Sequence, residues 1–130
     1  MRFLLLISVL ALTSCTGVNP PIQGREDPYV PAQVHFDSDQ LRTDTAIGQP
    51  VVTRDQFGLL HVMLPIRSAV DHQLPAQYRV TFFDQNRITL DQQSWIDKTL
   101  TANTPDQITV NSVDKRAADF EIDLRYPPGY

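Results

Sequence analysis

The sequence predicts an all-β domain, an antiparallel immunoglobulin-like β-sandwich, placed after a signal peptide and a flexible linker. Apolar and polar residues alternate along several segments after residue 32, which is typical of strands with one buried face. Turn signals recur between these segments at intervals of about 8–12 residues, as they do in sandwiches. No segment in this region keeps a helical period for more than about two turns. A small β-barrel is the alternative fold.

The first 14 residues are typical of a lipoprotein signal peptide. Arg2 supplies a positive charge, and an apolar run broken only by Ser8 extends from Phe3 to Leu12. Because a helix needs about 20 apolar residues to cross a bilayer, this run is too short for a lasting transmembrane segment. A charged start, a short apolar centre and an exit of small residues indicate an export signal.

The exit of this signal is similar to the lipobox of bacterial lipoproteins. It reads Leu12-Thr13-Ser14-Cys15, and Cys15 is the single cysteine of the chain. The similarity implies cleavage before Cys15, a diacylglyceryl group on its thiol and acylation of the new amino terminus. Several acyl chains anchor a protein far more firmly than one. The absence of aspartate at Thr16 favours the periplasmic side of the outer membrane over the inner membrane. The alternative is an ordinary signal peptide with a chance cysteine.

Composition narrows the class of partner. Without Arg2 the mature chain has 10 basic and 15 acidic residues, a net charge of −5 with neutral histidines. Nucleic-acid binding requires a basic surface, so we expect no nucleic-acid partner. A lone cysteine leaves no intrachain disulfide and no thiolate metal site.

Residues 15–32 are predicted to form a linker. Residues 16–32 hold four prolines, two glycines and few apolar side chains, too few to bury a core. About 17 residues of polyproline-like chain at about 3.1 Å each reach roughly 50 Å. The folded domain is predicted over residues 33–130.

The strand predictions rest on period-two alternation. Leu60, Val62, Leu64 and Ile66 alternate with other residues, and Pro65 among them indicates an edge strand or a bulge. The most regular strand has Ala118, Phe120, Ile122, Leu124 and Tyr126 facing inward and four charged residues facing outward. Shorter strands are predicted at 34–36, 51–53, 78–83, 88–90 and 108–110, whereas the segment 95–100 is less regular. In the turn after Asp84, Asn86 suits left-handed backbone geometry.

One stretch carries a family resemblance. Tyr78-Arg79-Val80-Thr81-Phe82-Phe83-Asp84 precedes a turn and the only tryptophan, Trp95. This order, after a lipobox and a proline-bearing linker, resembles the YcfL-like family of small periplasmic lipoproteins over roughly residues 58–126. The resemblance implies an antiparallel sandwich and no established enzyme activity. Asn86 stands where the family pattern leads us to expect glycine.

No residue pattern predicts a catalytic site, a cofactor or a metal. Three groupings were considered: His35, His61 and His72; Asp37, Asp39 and Asp44; and Ser68, Asp71 and His72. The histidines lack metal-ligand spacing, the aspartates lack the glycine and glutamate of an EF-hand, and the third group lacks an oxyanion context. We therefore expect the side chains at these positions to be solvated, and we expect that the protein is not an enzyme.

Aromatic residues give the candidate partner contacts. The parity of Phe83 places it opposite Tyr78 and Phe82, where an exposed ring can anchor an interface. Tyr126 and Tyr130 lie in a proline-rich tail that either packs over a sheet edge or docks on a partner. Trp95 is expected to fill the core or cover a strand edge rather than to bind a ligand.

These observations predict a lipid-anchored binding or assembly module of the bacterial cell envelope. Its membrane contact is the lipid on Cys15, and its expected partner is a periplasmic protein. One alternative is a periplasmic lipoprotein that binds a glycan or another small ligand. The other is the lipoprotein subunit of a trans-envelope secretion complex, which is likewise a small anchored sandwich.

Overall fold

The computed structural model describes residues 30–130. The signal residues and the lipidation site, which are Leu12, Thr13, Ser14 and Cys15, lie outside the described residues, as does most of the predicted linker. The described part contains one helix and nine strands: β1 (Val34–Phe36), α1 (Asp39–Asp44), β2 (Thr45–Ile47), β3 (Val51–Arg54), β4 (Leu60–Ser68), β5 (Leu74–Phe83), β6 (Thr89–Gln92), β7 (Ile96–Leu100), β8 (Asp106–Asn111) and β9 (Asp119–Arg125).

The strands form two separate sheets, so the sandwich prediction is confirmed and the strands do not close into a barrel. The five-stranded sheet runs β1, β9, β5, and then β6 and β7 share the remaining edge of β5. In the four-stranded sheet β4 is central, with β8 along one edge and β2 and β3 sharing the other. In each sheet, therefore, one edge of a long inner strand pairs with two short strands rather than with one continuous strand.

The core lies between the two sheets and follows the alternation in the sequence. Val62, Leu64 and Ile66 of β4 are at most 3% exposed. They meet the inward side chains of β5 and β9, among them Val80 and Ile122, which are fully buried. Because successive side chains of a strand point to opposite faces, the residues between these positions point to the outer faces of the two sheets.

At its amino-terminal end the most regular strand differs from the prediction. Phe120, Ile122 and Leu124 are buried as expected, but Ala118 is exposed and Ala117 takes the core position. The strand begins only at Asp119. Ala117 and Ala118 belong to the preceding loop, where period-two parity does not apply.

Pro65 lies in the central strand β4, and the register of β4 against β8 continues past it without a shift. Both predicted alternatives, an edge strand and a bulge, are therefore wrong. Its carbonyl accepts a hydrogen bond from Gly48 N–H at 3.0 Å, just past the end of β2. The N–H and C=O of a strand residue point to the same side, so the missing donor of Pro65 faces the gap between β2 and β3. A Cβ on Gly48 would lie 3.0 Å from Pro65 Cβ, so glycine allows this close approach.

Three features at the start of the domain were not predicted. β1 pairs in parallel with β9, so the sheet is not wholly antiparallel. Ser38 then caps α1 by accepting a hydrogen bond from Leu41 N–H at 3.0 Å, and Leu41 is fully buried. Val30 packs against the core and Pro31 is buried, and both lie in the range that the sequence assigns to the linker.

The turn after β5 places its left-handed residue one position later than predicted. Arg87 has φ +63°, whereas Asn86 does not have positive φ. The Asp84 carboxylate accepts hydrogen bonds from the backbone N–H groups of Asn86 and Ile88 at 2.8 and 2.9 Å. Asp84 therefore fixes the turn, and the chain needs left-handed geometry only where it rejoins the next strand.

Across residues 30–130 the only helix is six residues long, and none is long and apolar enough to span a bilayer.

Candidate functional site

The two outer faces of the sandwich differ in their charge. On the five-stranded sheet, Arg79 of β5 donates to the Asp123 carboxylate of β9 from Nε and Nη2, at 3.2 and 3.0 Å. The cross-strand register places these two residues directly opposite each other. Arg125 donates from Nε to the Gln77 side chain at 2.9 Å, and Gln77 donates to Asp97 at 2.7 Å. This face therefore carries several paired polar side chains, which together form its polar network.

Phe83 lies at one end of this network, on the outer side of β5. The Arg87 guanidinium stacks on its ring, with Cζ 4.5 Å from the ring centroid. Arg87 also donates to Asp119 at 2.6 Å and to Glu121 at 2.9 Å. The hydrogen bond to Glu121, followed by that to Asp119, raises the pKa of Arg87. Phe83 is thus half-buried beneath a paired cation, on the face that its parity predicted.

Trp95 lies on the same face and not in the core. The guanidinium carbons of Arg79 and Arg125 lie 4.6 and 3.9 Å from the Trp95 ring centroid, which is within cation–π range. The indole is half-buried. Beside it is a cleft of about 280 Å³. We name it the Trp95 cleft, lined by His35, Phe36, Asp37, Arg79, Trp95, Asp123, Leu124 and Arg125.

Several polar groups of the Trp95 cleft make no hydrogen bond to any residue from 30 to 130. The two terminal nitrogens of Arg125 are uncommitted, since only its Nε is bonded. The indole N–H of Trp95 and the Asp37 carboxylate are also without a partner in this range. Arg79, in contrast, is neutralised by Asp123. The cleft therefore offers one free cation, one free carboxylate and one aromatic surface.

The outer face of the four-stranded sheet is nearly free of charge. We name it the neutral face: Ala46 of β2; Val51 and Thr53 of β3; His61, Met63, Pro65 and Arg67 of β4; and Gln107, Thr109 and Asn111 of β8. These side chains share one face because each lies at an outward position or opposite one. Arg67 is the one residue with a permanent charge that the described part of the chain places there. Val51 is 46% exposed, and His61 Nδ1 contacts the Asn111 side-chain oxygen.

A shallow groove of about 330 Å³ opens at one end of the neutral face. Its walls include Ala46, Pro65 and Pro105, with Arg67 and Asp106 at its margin. Asp106 is already paired with Lys98 at 2.8 Å. The groove is lined mainly by apolar side chains and is wide enough for one side chain of a partner.

The tail aromatics form a separate pair. The Tyr126 hydroxyl donates to the Asp44 carboxylate at 2.5 Å, and the Tyr126 and Tyr130 rings stack with centroids 4.9 Å apart. Tyr130 is 67% exposed. Phe83 lies at the other end of β5 and β9, roughly 20 Å away at about 3.3 Å per residue. The three predicted contact residues therefore do not form one surface.

The other groupings from the sequence do not converge. His35, His61 and His72 lie on β1, on β4 and in the following loop, and residues 30–130 contain no cluster of three metal-ligating side chains. Ser68 is fully buried, and its hydroxyl bonds to the backbone of Val70 and His72 rather than to an imidazole. Asp44 holds Tyr126, Asp39 starts α1, and Asp37 reaches the Trp95 cleft.

Sequence reasoning missed the Trp95 cleft because its residues come from four separate regions. His35 lies in β1, Arg79 belongs to β5, Trp95 lies between β6 and β7, and Arg125 ends β9. The available signal was the shared outward parity of Arg79 and Arg125. That parity could not indicate that the Trp95 ring stacks on both guanidinium groups.

Solved structures with the same fold support the architecture. Cj0090 of Campylobacter jejuni is 17% identical with a TM-score of 0.64, and the match covers 73% of this chain and 98% of that one. A DUF1425 family member from Shewanella sp. pv-4 is 22% identical with a TM-score of 0.59, covering 66% and 81% of the two chains. No curated protein matches the sequence. The model of the family described as "Protein of unknown function (DUF1425)" matches residues 32–126, and the chain belongs to that family.

Proposed function

We propose that this protein is a lipid-anchored binding module of the bacterial envelope, which docks a periplasmic protein through the neutral face and catalyses no reaction. The observation that carries the proposal is the nearly uncharged outer face on a chain whose net charge is −4. The lipobox at residues 12–15 supports the anchor, and the Tyr78–Asp84 strand with Trp95 supports a place among YcfL-like lipoproteins within the family.

The composition of the neutral face suits a protein interface. The cores of such interfaces are depleted of charged residues and enriched in methionine and aromatic residues. Met63 lies at the centre of this face, with Val51 beside it on β3. Docking here removes few hydrated charges from water, whereas docking on the opposite face would desolvate several ion pairs. The apolar groove beside Pro65 adds a place for a partner side chain.

The size of the face indicates why a tether would matter. Three strands with a spacing of about 4.8 Å and a length of nine residues give roughly 400–500 Å². Each partner of a standard stable interface buries about 800 Å². The contact is therefore weak in dilute solution, and we do not expect a stable dimer of two copies. Anchoring beside a partner on the same membrane raises the effective concentration, commonly to the millimolar range.

Site-specific photo-crosslinking in intact cells tests this proposal. A photoreactive amino acid is placed at Met63 on the neutral face or at Thr99, an exposed residue on the outer face of the five-stranded sheet. We expect one discrete protein adduct from position 63 and none from position 99. An adduct with a second copy of this chain would show that the partner is this chain itself and not another periplasmic protein. Equal labelling from both positions would refute the docking face.

Matched substitutions complete the test. Met63→Arg adds a charge to the neutral face, and Thr99→Arg adds the same charge to the control face. We expect Met63→Arg alone to abolish an adduct formed from a photoreactive residue at Gln107. Cys15→Ser should leave an uncleaved or soluble periplasmic protein and weaken the adduct as well. A processed, membrane-bound Cys15→Ser protein contradicts the anchor without affecting the docking face.

A further inference from the structure

We propose that the Trp95 cleft binds an acidic saccharide, a sugar that carries a carboxylate group. This inference uses the outer face of the five-stranded sheet and does not depend on the neutral face or on the lipid anchor. It rests on three groups that the fold brings together: the free guanidinium nitrogens of Arg125, the free carboxylate of Asp37 and the partly exposed indole of Trp95.

The guanidinium of Arg125 is arranged to receive an oxyanion. Its Nε is held by Gln77, which is itself held by Asp97, so the plane of the guanidinium is fixed by a chain of hydrogen bonds. Both terminal nitrogens are left without a partner in residues 30–130. A guanidinium with two free donors matches the two oxygens of a carboxylate. Arg79 does not compete for this role because Asp123 already occupies it.

The carboxylates of the cleft select against a highly charged ligand. Asp37 is exposed at the end of β1, and Asp123 lines the same space. A doubly charged phosphate beside Arg125 would be repelled by the unpaired Asp37, whereas the charge of Asp123 is offset by Arg79. Sugar hydroxyls, in contrast, can donate to Asp37 while one carboxylate accepts from Arg125. A singly charged ligand rich in hydroxyls therefore satisfies both ends of the cleft.

Trp95 supplies the surface for the ring of the sugar. The stacking of Arg79 and Arg125 holds the indole against the sheet, so little side-chain freedom remains to be lost on binding. Its N–H is a further free donor. The cleft volume of about 280 Å³ lies just below the range of drug-sized ligand sites, which is roughly 300 to 1,000 Å³. This size suits one or two sugar rings.

Fluorescence titration of the full-length protein in detergent tests the proposal. Trp95 is the only tryptophan, so the emission reports on this cleft. The probes are glucuronic acid, which has one ring and one carboxylate, the neutral glucose and inorganic phosphate. We expect a saturable change with glucuronic acid only, weakened by added sodium chloride. An equal response to glucose removes the role of the carboxylate, an equal response to phosphate removes the saccharide, and no response to any probe overturns the site.

Substitutions at Arg125, with Arg116 as the control, locate the site. Arg125→Gln should weaken binding of glucuronic acid at least tenfold, whereas Arg116→Gln, which removes a 71% exposed arginine side chain from the β8–β9 loop, should leave it unchanged. Arg125→Lys keeps the charge without the two-nitrogen fork and should give an intermediate loss. Circular dichroism confirms folding of each variant. Equal affinity of wild type and Arg125→Gln refutes the assignment, as does equal weakening by Arg116→Gln.

Discussion

Replacing Phe82 or Phe83 by alanine tests which face of β5 points into the sandwich. The two residues are adjacent and chemically identical, yet Phe82 is 1% exposed and Phe83 lies on the outer face under Arg87. Opposite them on β9 stand the buried Phe120 and the half-exposed Asp119. The pair is therefore a matched test in which only the direction of the side chain differs.

The expected losses differ by a clear margin. Burying a phenylalanine side chain contributes about 2–3 kcal/mol. If about 50 Å³ of its volume stays empty after Phe82→Ala, the cavity adds roughly 1 kcal/mol at about 24 cal/mol per Å³. Phe82→Ala should therefore cost about 3–4 kcal/mol. Phe83→Ala forfeits partial burial and a contact with Arg87 of the kind that contributes about 0.5–1 kcal/mol at exposed sites, so we expect about 1 kcal/mol.

Urea unfolding, followed by Trp95 fluorescence and far-UV circular dichroism, measures both losses. At roughly 4–8 °C per kcal/mol for a domain of this size, the two variants should also differ by about 10–20 °C in melting temperature. Equal losses, or a larger loss for Phe83→Ala, would refute the orientation of β5 and with it the assignment of the two sheet faces. If Phe82→Ala does not fold, Phe82→Leu allows the same comparison at a smaller cost.

Two further predictions concern titratable groups. Tyr126→Phe removes the hydrogen bond to Asp44 and should cost about 1–2 kcal/mol near neutral pH. Burial, followed by that hydrogen bond, raises the pKa of Tyr126 above its ordinary 10.0. The hydrogen bond therefore contributes its full stability below pH 10, and this contribution is lost as pH rises through the folded-state pKa. The difference in unfolding free energy between wild type and Tyr126→Phe, measured by urea unfolding, should narrow above pH 10. A difference that widens there contradicts this prediction. The side-chain hydrogen bond from Arg116, with its backbone N–H, lowers the pKa of Asp114 from 3.8 to about 2. In Arg116→Gln the pKa of Asp114 should rise toward 3.8 in a carboxyl NMR titration. The pKa of Asp106, which pairs with Lys98, should stay low and serves as the control. An unchanged Asp114 pKa excludes Arg116 as the cause of the shift.

The sandwich could be predicted from sequence because alternation is a local signal. The alternation of apolar and polar residues predicts which side chains point inward in Leu60 to Ile66 and in Phe120 to Leu124, and the structure agrees. Pairing partners are not local. The parallel pairing of β1 with β9 joins residues more than eighty positions apart, and nothing in a three-residue strand specifies it. The placement of Pro65 depends on where β2 ends and β3 begins, which its own neighbours do not encode.

The candidate surfaces were predictable only in part. The outward parity of Phe83 is correct, but the ring is covered by Arg87, a residue that reaches back from the following turn. Trp95 lies in a segment without a clear period, so the sequence does not predict which face of the sheet its side chain occupies. Its position is set by Arg79 and Arg125, whose diagonal placement on adjacent strands follows from the register of β5 against β9. Such sites become visible only when the register is known.

The distribution of charge, rather than of apolar area, distinguishes the two outer faces. Both arise from the same alternating pattern, yet one carries the cross-strand pair Arg79–Asp123 and the pair that Glu121 forms with Arg87 of the following turn. The other carries Arg67 alone among the described charged residues. Paired charges must be stripped of water before a broad surface can cover them, which opposes protein docking. A small hydroxylated ligand can replace that water group by group, so the same network favours a cleft such as that beside Trp95. This difference between the two faces is why we propose protein binding at the neutral face and ligand binding at the charged face.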